Sequence, residues 1–189
     1  MTISSQNFHK TSVPILYINE DVLLRPLKIE DIHQNYIDSL NHPHVRKYLA
    51  AHTGSQYTRK NVTQFVLEND EDRSAILFGF FVRGKHSGTC RLHDITQNCA
   101  WLGLAIFDIS LWGQGWGNKI ITTVSNYALL QLNIEQIRAA IDPLNIGSKS
   151  AFTKSGFHIL PDEKLEREDG VLTDIWQRRG DPGYLWNSN

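Results

Sequence analysis

Three glycines stand at alternate positions in the stretch FDISLWGQGWGNKII, between an apolar run and a segment with helical spacing. Glycine destabilises regular structure, so Gly113, Gly115 and Gly117 predict a main chain that turns sharply or that another group approaches closely. A strand, a glycine loop and a helix N-terminus together present free N–H groups to an anion, and a phosphate suits that arrangement. A simple tight turn between strand and helix is the alternative.

Two familiar phosphate loops do not fit this stretch. A Walker A loop has four residues between its glycines and a Ser or Thr after its lysine, whereas Ile120 follows Lys119 here. The dinucleotide-binding fingerprint G-x-G-x-x-G belongs to an early βαβ unit, whereas this G-x-G-x-G follows strands that are predicted to be antiparallel. The loop therefore predicts a phosphate site of another kind.

A second motif, NIGSKSAFTKSGF, follows further along the chain. Together with LWGQGWGNKI it resembles the acetyl-coenzyme A site of the GNAT acetyltransferases, in particular the branch named after the ribosomal-protein N-acetyltransferases RimJ and RimL. Trp112, Gly115 and Gly117 fall on the fixed positions of that family's loop. The second motif is matched in order by Asn145, Ser148, Phe152, Lys154, Gly156 and Phe157. The resemblance extends from LLRPL to TDIWQRR and is specific in these two motifs.

The resemblance implies that acetyl-coenzyme A is the co-substrate and that no metal takes part. Main-chain N–H groups from Gln114 to Lys119 would hold the pyrophosphate, and the pantetheine arm would lie along LGLAIF like an added strand. A strand splayed there would aim an N–H at the thioester oxygen. For Asn145 a plain helix cap is the compatible alternative. The implied coenzyme-binding residues are Leu104, Ala105, Ile106, Phe107, Trp112, Gln114, Gly115, Trp116, Gly117, Asn118, Lys119, Asn145, Ser148, Phe152 and Lys154.

Acetyl transfer also needs a proton for the departing thiolate. Many relatives place a tyrosine where Phe152 stands, and the resemblance implies that relatives of the RimL kind use a serine at the position of Ser148. A hydroxyl there can donate its proton as the thiolate forms. The alternative is a serine that only satisfies a nearby helix carbonyl.

The resemblance places the general base at Glu166, because RimL-like relatives carry a glutamate near the acceptor in the last hairpin. A solvated strand residue is the alternative for Glu166. His93 and Asp94 are further candidates, since histidine titrates in the useful range. Relatives often have glutamate where Trp101 stands, so one familiar carboxylate is missing.

Other residues with possible chemistry are set aside. His42 and His44 lack a third ligand at convincing spacing, so they predict surface or acceptor-pocket residues rather than a metal site. Cys90 and Cys99 are expected to be reduced thiols without a catalytic role.

The elements that must position these residues follow from hydrophobic spacing. A strand is predicted over VLLRP, followed by a helix from Ile29, and two further short helices over NHPHVRKYL and YTRKNVTQFVLEND. Three strands then form a meander, and a helix, a strand, a short helix and a hairpin turning at Asp169-Gly170 complete the chain. We expect a mixed α/β fold of the GNAT type, with a mostly antiparallel sheet splayed at the coenzyme site and helices on both faces.

Composition limits the partners. The 189 residues carry a formal net charge of -1 without a long basic run, which argues against nucleic acid. No leader pattern is visible and no apolar run approaches the roughly 18 residues that span a bilayer, so we expect a cytoplasmic protein without a membrane partner. We expect one domain over residues 1–189, with a core of about 22–179, flexible ends at 1–15 and 181–189, and a monomeric or homodimeric state.

The sequence therefore predicts an acetyl-coenzyme A-dependent N-acetyltransferase. The acceptor would be a small-molecule or peptide amine, such as a protein N-terminus or an amino sugar, that attacks directly in a ternary complex. Phe152 and Trp101 motivate a rival, a coenzyme-binding module that has lost turnover. A weaker rival is a nucleotide-binding domain that uses the glycines for NAD or ATP.

Overall fold

An eight-stranded sheet with helices on both faces organises the chain. The computed structural model describes residues 13–49, 56–167 and 170–180. Most of the expected flexible ends, residues 1–12 and 181–189, and Asp169 of the expected turn lie outside these ranges.

The strands alternate with three groups of helices. The strands are β1 (Leu16–Asn19), β2 (Val22–Pro26), β3 (Ile76–Val82), β4 (Lys85–His93), β5 (Cys99–Ile106), β6 (Gln136–Ile141), β7 (His158–Glu166) and β8 (Leu172–Arg179). The α-helices are α1 (Gln34–Asn41), α2 (Pro43–Arg46), α3 (Arg59–Glu71), α4 (Trp116–Asn126) and α5 (Ile146–Lys154). Short 3₁₀ turns cover Ile29–Asp31 and Ile109–Leu111, and α4 ends in a wide π turn, Tyr127–Gln131.

The sheet is splayed at its centre. The strand order is β1-β2-β3-β4-β5-β6-β8-β7, and each neighbouring pair is antiparallel except β5 and β6. Those two parallel strands pair only between Cys99–Trp101 and Gln136–Arg138. Beyond this short contact β5 continues to Ile106 with β4 as its strand partner, so its other edge faces an opening. The predicted mixed fold with a splayed, mostly antiparallel sheet is confirmed.

Two hydrophobic cores hold the helices on opposite faces of the sheet. The larger core packs α4 and the π turn on residues such as Phe78, Phe80 and Leu92. The smaller core packs α1 to α3 on Leu77, Phe81 and other residues. Because alternate side chains of β3 enter opposite cores, ILFGFFV is a nearly continuous apolar run instead of an alternating one.

Two local features of the structure differ from what the sequence predicts. The edge strand β1 was not predicted, since it has only four residues and one of them, Tyr17, is 65% exposed. The helix expected from Ile29 is divided into a 3₁₀ turn and α1. In the last hairpin, Arg167 N donates to Val171 O at 2.9 Å and Gly170 N donates to Arg167 O at 2.9 Å. Gly170 has the left-handed φ of 78°, and Asp169 of the expected turn lies outside the described residues.

Candidate active site

The glycine loop lies between the end of β5 and the start of α4, as the sequence predicts. Gly113 has a φ of 75° and Gly115 a φ of 80°, in the left-handed region that other residues rarely adopt. A Cβ at either position would have no atom within 4 Å. Both glycines therefore serve the conformation of the loop, and the space beside them is open.

Gly117 has a different reason to be glycine. It lies in the first turn of α4, and a Cβ there would come 3.2 Å from the Ala151 Cβ and 3.8 Å from the Leu104 Cδ2. The missing side chain lets α4 pack closely on α5 and β5. A larger residue at Gly117 would disturb this packing as well as the loop.

Two helix N-termini, one uncapped and one capped by a side chain, border the same opening. Gly115 is the N-cap of α4 and no side chain caps the helix, so the N–H groups of its first turn lack intrahelical acceptors. At the start of α5 the Asn145 side chain accepts a hydrogen bond from Ser148 N at 3.0 Å. Both helix dipoles favour a negative charge at these ends.

The outer edge of β5 offers main-chain groups without a strand partner. Phe107 N donates to Ser87 O of β4 at 3.1 Å, so by the alternation of an antiparallel ladder the main-chain groups of Leu104 and Ile106 face away from β4. The Trp112 Nε1 donates to Ile106 O at 2.8 Å. This leaves both main-chain groups of Leu104 and the N–H of Ile106 facing the opening.

Side-chain bonds fix the loop before the glycines. The Asp108 carboxylate accepts from Ser110 Oγ at 2.6 Å and from Lys85 Nζ at 2.7 Å. Partial burial alone would raise the pKa of Asp108, but the hydrogen bonds from Lys85 and Ser110 outweigh it and lower that pKa. The Gln114 Nε2 donates to Ser110 O at 2.7 Å and ties the glycine segment to this turn.

These elements enclose a cleft of about 630 Å³. One wall, which we call the coenzyme wall, is formed by β5, the glycine loop, α4 and α5. The other, the α2 wall, is formed by His44, Val45, Tyr48 and Leu49. The coenzyme wall consists of Leu104, Ala105, Ile106, Leu111, Trp112, Gly113, Gly115, Trp116, Gly117, Asn118, Ile121, Leu144, Asn145, Ile146, Gly147, Ser148, Ser150, Ala151 and Lys154.

The cleft brings together most of the residues predicted to bind the coenzyme. Those that line it are Leu104, Ala105, Ile106, Trp112, Gly115, Trp116, Gly117, Asn118, Asn145, Ser148 and Lys154. Four others do not line it. Phe107 is buried against Tyr36, with ring centroids 4.7 Å apart, and Phe152 is buried against Phe157 at 4.9 Å. Gln114 braces the loop, and the Lys119 Nζ lies 4.5 Å from the Trp116 ring centroid.

The predicted catalytic residues lie in different surroundings. Ser148 is partly buried and lines the cleft, and among the described residues its Oγ makes no hydrogen bond. Glu166, at the end of β7, is exposed and is not part of the lining. His93 also lies outside the lining, with its Nδ1 2.9 Å from an Asp94 oxygen, and burial lowers the pKa of its imidazole.

The α2 wall was the least predictable part of the site. The sequence indicated His44 only as a surface or acceptor-pocket residue, and it gave no sign that Tyr48 and Leu49 face the same cleft. The available signal was spacing, because His44 and Tyr48 lie four residues apart, as side chains on one helical face do. The turn continues past α2, since Tyr48 N donates to Val45 O at 3.3 Å.

Metal ligation and cysteine chemistry find no support in the described ranges. No group of three or more His, Cys, Asp and Glu side chains there could hold a metal ion. Cys90 is buried, Cys99 is partly buried, and both are free thiols.

Within residues 13–49, 56–167 and 170–180, no helix combines the length and the apolar character needed to cross a membrane.

Comparison with known sequences identifies the family. The acetyltransferase (GNAT) domain matches residues 21–158. The probable N-acetyltransferase YjcK of Bacillus subtilis (strain 168) is 27% identical over 168 residues, which cover 82% of this chain and 89% of that protein.

Solved structures share the fold. The ribosomal L7/L12 alpha-N-protein acetyltransferase RimL, in complex with coenzyme A, has a TM-score of 0.77 at 13% identity, over 89% of this chain and 99% of that chain. RimJ of Mycobacterium smegmatis, bound to CoA-disulfide, has a TM-score of 0.72 at 16% identity, over 84% and 81% of the two chains. The microcin C7 self-immunity acetyltransferase MccE, bound to acetyl-CoA and AMP, has a TM-score of 0.73 at 14% identity, over 86% and 94%. Since the family's domain matches most of its length, this chain belongs to the GNAT family of N-acetyltransferases.

Proposed function

We propose that the chain transfers an acetyl group from acetyl-coenzyme A to a primary amine, by direct attack within a ternary complex. The observation that carries this proposal is the meeting of three features in one cleft: the uncapped N-terminus of α4, the unpaired edge of β5 and the hydroxyl of Ser148. The first suits a pyrophosphate, the second an amide-rich arm and the third a departing thiolate.

Main-chain groups would do most of the binding. Acetyl-coenzyme A supplies an acetyl group activated as a thioester. The N–H groups after Gly113 and Gly115 would hold its phosphates, with Asn118 at the same helix end and Lys119 adding positive charge beside Trp116. Leu104 and Ile106 would pair with the arm through the edge that faces away from β4. The fit of this cleft to an extended, anionic co-substrate supports the proposal.

The chemical step requires a neutral amine, a polarised carbonyl and a proton for sulfur. An outward-facing N–H of β5 would stabilise the oxygen as it becomes negative, because the strand already holds that N–H in place. Ser148 would donate its hydroxyl proton to the thiolate, from a position where its Oγ makes no hydrogen bond among the described residues. The family resemblance favours Glu166 as the base, but Glu166 does not line the cleft.

Phe152 and Trp101 motivated the alternative of a coenzyme-binding module without turnover, but neither residue lines the cleft. Phe152 lies on the buried face of α5 and does not line the cleft. The lack of a tyrosine hydroxyl there still leaves Ser148, which lines the cleft, as a possible proton donor. Trp101 pairs with His93 and Arg138 where β5 meets β6, and it does not line the cleft either. The enzyme proposal needs neither residue.

The acceptor would be a small-molecule or peptide amine that enters beside the α2 wall. Its nitrogen must reach the thioester carbon between Leu104 and Ser148, whereas the rest of the molecule contacts Tyr48, Leu49 and their neighbours. A protein N-terminus, an amino sugar and another small amine all fit this requirement. The protein would act as a monomer or a homodimer.

A thiol-release assay across a panel of amines tests the proposal. The panel contains peptides with free N-termini, amino sugars and polyamines, each with acetyl-coenzyme A and with the enzyme omitted as a control. We expect coenzyme A release in proportion to the acceptor added, without an acetylated enzyme as an intermediate. Binding of acetyl-coenzyme A without release for any amine would favour the binding module. Displacement of acetyl-coenzyme A by ATP or NAD at similar concentrations would favour the nucleotide-binding domain.

A further inference from the structure

We propose that His44, on the α2 wall, is the general base that removes the proton from the attacking amine. This inference rests on the proposed function, since it names the proton acceptor for the same cleft. The base would thus be an imidazole from the N-terminal half of the chain and not the Glu166 carboxylate of the last hairpin.

The composition of the cleft lining is the first argument. Among the described residues, the titratable side chains that line it are His44, Tyr48 and Lys154, and no carboxylate is among them. As classes of side chain, phenols and ammonium groups are much weaker candidates for a base at neutral pH than imidazole is. Imidazole is the side chain whose ordinary pKa, about 6.5, suits a base at neutral pH.

The carboxylates of Asp108 and of the last two strands do not line the cleft. The Asp174 carboxylate is buried and hydrogen-bonds the Lys164 ammonium, and Glu163 pairs with Arg138 at 2.9 Å. Asp108 pairs with Lys85 at 2.7 Å. Glu166 is exposed on the edge strand β7, and none of these four groups lines the cleft.

The helix that carries His44 is held in place from both ends. Pro43 opens α2 at a position where proline favours helix formation, and Val45 anchors the helix in the smaller core. The Asn41 Nδ2 donates to Tyr57 O at 2.7 Å, and Tyr57 N donates to the Asn41 Oδ1 at 2.8 Å. This pair of bonds, the Asn41 clamp, closes the segment that contains α2, so the imidazole lies on a supported element.

The charged groups around His44 are mostly basic. Its ring stacks on His42, with centroids 5.4 Å apart and planes at 25°. Arg46 and Lys47 follow on the same segment, and the Lys47 Nζ lies 5.0 Å from the Tyr48 ring centroid. Lys154 faces the cleft from α5. His44 therefore lies among cationic side chains, beside a second imidazole.

The proton and electron balance is complete with these groups. The amine nitrogen attacks the thioester carbon, a C–N bond forms, and the carbonyl electron pair moves to oxygen. His44 accepts the proton that this nitrogen gives up. The C–S bond then breaks as the oxygen pair returns, and the thiolate takes a proton from the Ser148 hydroxyl. Because His44 is exposed, its imidazolium can return a proton through solvent to the serine oxygen.

The test compares His44→Gln with the parent enzyme at saturating acetyl-coenzyme A and an active amine. We expect kcat to fall about 10²-fold, the usual contribution of a general base, with the Kd of coenzyme A unchanged within about threefold. The limb of log kcat/KM that rises with pH near neutrality should disappear, and added imidazole should restore part of the rate. A merely structural role would not move the pH profile.

The matched control is His158→Gln, which alters another exposed histidine, on β7 outside the cleft lining. It should keep the parent's rate and pH limb. An active parent whose rate and pH limb survive His44→Gln overturns the base while leaving the proposed function intact. Loss of the limb in Glu166→Gln instead would assign the proton to that carboxylate. A parent that releases no coenzyme A with any amine overturns the proposed function and the base together.

Discussion

The two walls of the cleft expose different kinds of chemical group. The coenzyme wall presents main-chain groups: the first turn of α4, the capped start of α5 and the outer edge of β5. The α2 wall presents side chains, with an imidazole, a phenol and two aliphatic groups from one short helix and the turn after it. Main-chain recognition tolerates many side chains provided that the backbone keeps its path, whereas side-chain recognition changes with each substitution.

If the proposed reaction is correct, the two walls should control different steps of it. Substitutions that alter the backbone path of the coenzyme wall should change binding of acetyl-coenzyme A. Substitutions on or behind the α2 wall should change the response to the amine. A variant of one wall that changed the parameter expected for the other wall would show that their roles are not separate.

Ser148→Ala should have the largest effect, because it removes the one side-chain donor that we assign to the coenzyme wall. We expect kcat to fall about 10²-fold with the coenzyme Kd changed only a few fold. Thr153→Val removes another hydroxyl from the same helix, at an exposed position outside the cleft lining, so it is the matched control and should lower kcat far less. Equal kcat for Ser148→Ala and the parent, with chemistry shown to be rate-limiting, would leave water as the proton source.

Gly115→Val should weaken coenzyme binding by about tenfold or more. The substitution strains a left-handed backbone and places methyl groups beside the helix N-terminus that we propose receives the phosphates. Gly84→Val controls for the strain, since Gly84 has a φ of 77° with no atom within 4 Å of a Cβ and lies in the β3–β4 turn. Calorimetric titration and thermal unfolding should show similar losses of stability but a loss of affinity in Gly115→Val only.

Asn41→Ala should raise the acceptor KM several-fold while leaving the coenzyme Kd near that of the parent. The change deletes both hydrogen bonds of the Asn41 clamp and loosens the segment that carries the α2 wall, at a cost of about 1–3 kcal/mol in stability. Asn35→Ala, on the exposed face of the same helix, is the control. An increase in the coenzyme Kd that matched the increase in KM would show that the two walls are not separable.

His86→Phe should have the smallest effect on turnover at neutral pH, and it tests the support beneath the α2 wall. Burial among Tyr36, Phe81 and Phe107 lowers the pKa of His86 to about 4, from an ordinary value of 6.5. Between these values the unfolded chain binds more protons, so the stability due to this residue is complete above pH 6.5 and falls as the pH drops towards 4.

The difference amounts to at most about 3 kcal/mol across that window. Urea titrations at several pH values should therefore show a flatter acid dependence of the unfolding free energy in His86→Phe than in the parent. His33→Asn changes an exposed histidine and should keep the parent's slope. An identical slope in His86→Phe would mean that another group controls the acid limb.

The sequence predicted the coenzyme wall far better than the α2 wall, for a physical reason. A left-handed turn and a helix cap favour particular residue types, so Gly115 and Asn145 could be recognised from the sequence alone. The motif could not show which side of α5 faces the cleft, and it therefore grouped the buried Phe152 with the lining Ser148. His44 joins the site only through the packing of the smaller core, which no local pattern records.

The short contact between β5 and β6 divides the sheet into two parts that meet along a short seam. Five strands lie on one side of the seam and three on the other, and three ladder pairs join β5 to β6. The larger core continues across the seam, since it contains Phe78 from one side and Ile137 and Trp176 from the other. Across the opening, α4 packs on α5 beside Gly117, and the Ser155 Oγ donates to Asn118 O at 3.1 Å. A change in the width of the cleft would therefore disturb the larger core and the contact between α4 and α5 as well as the seam, so the width is largely set before a molecule enters.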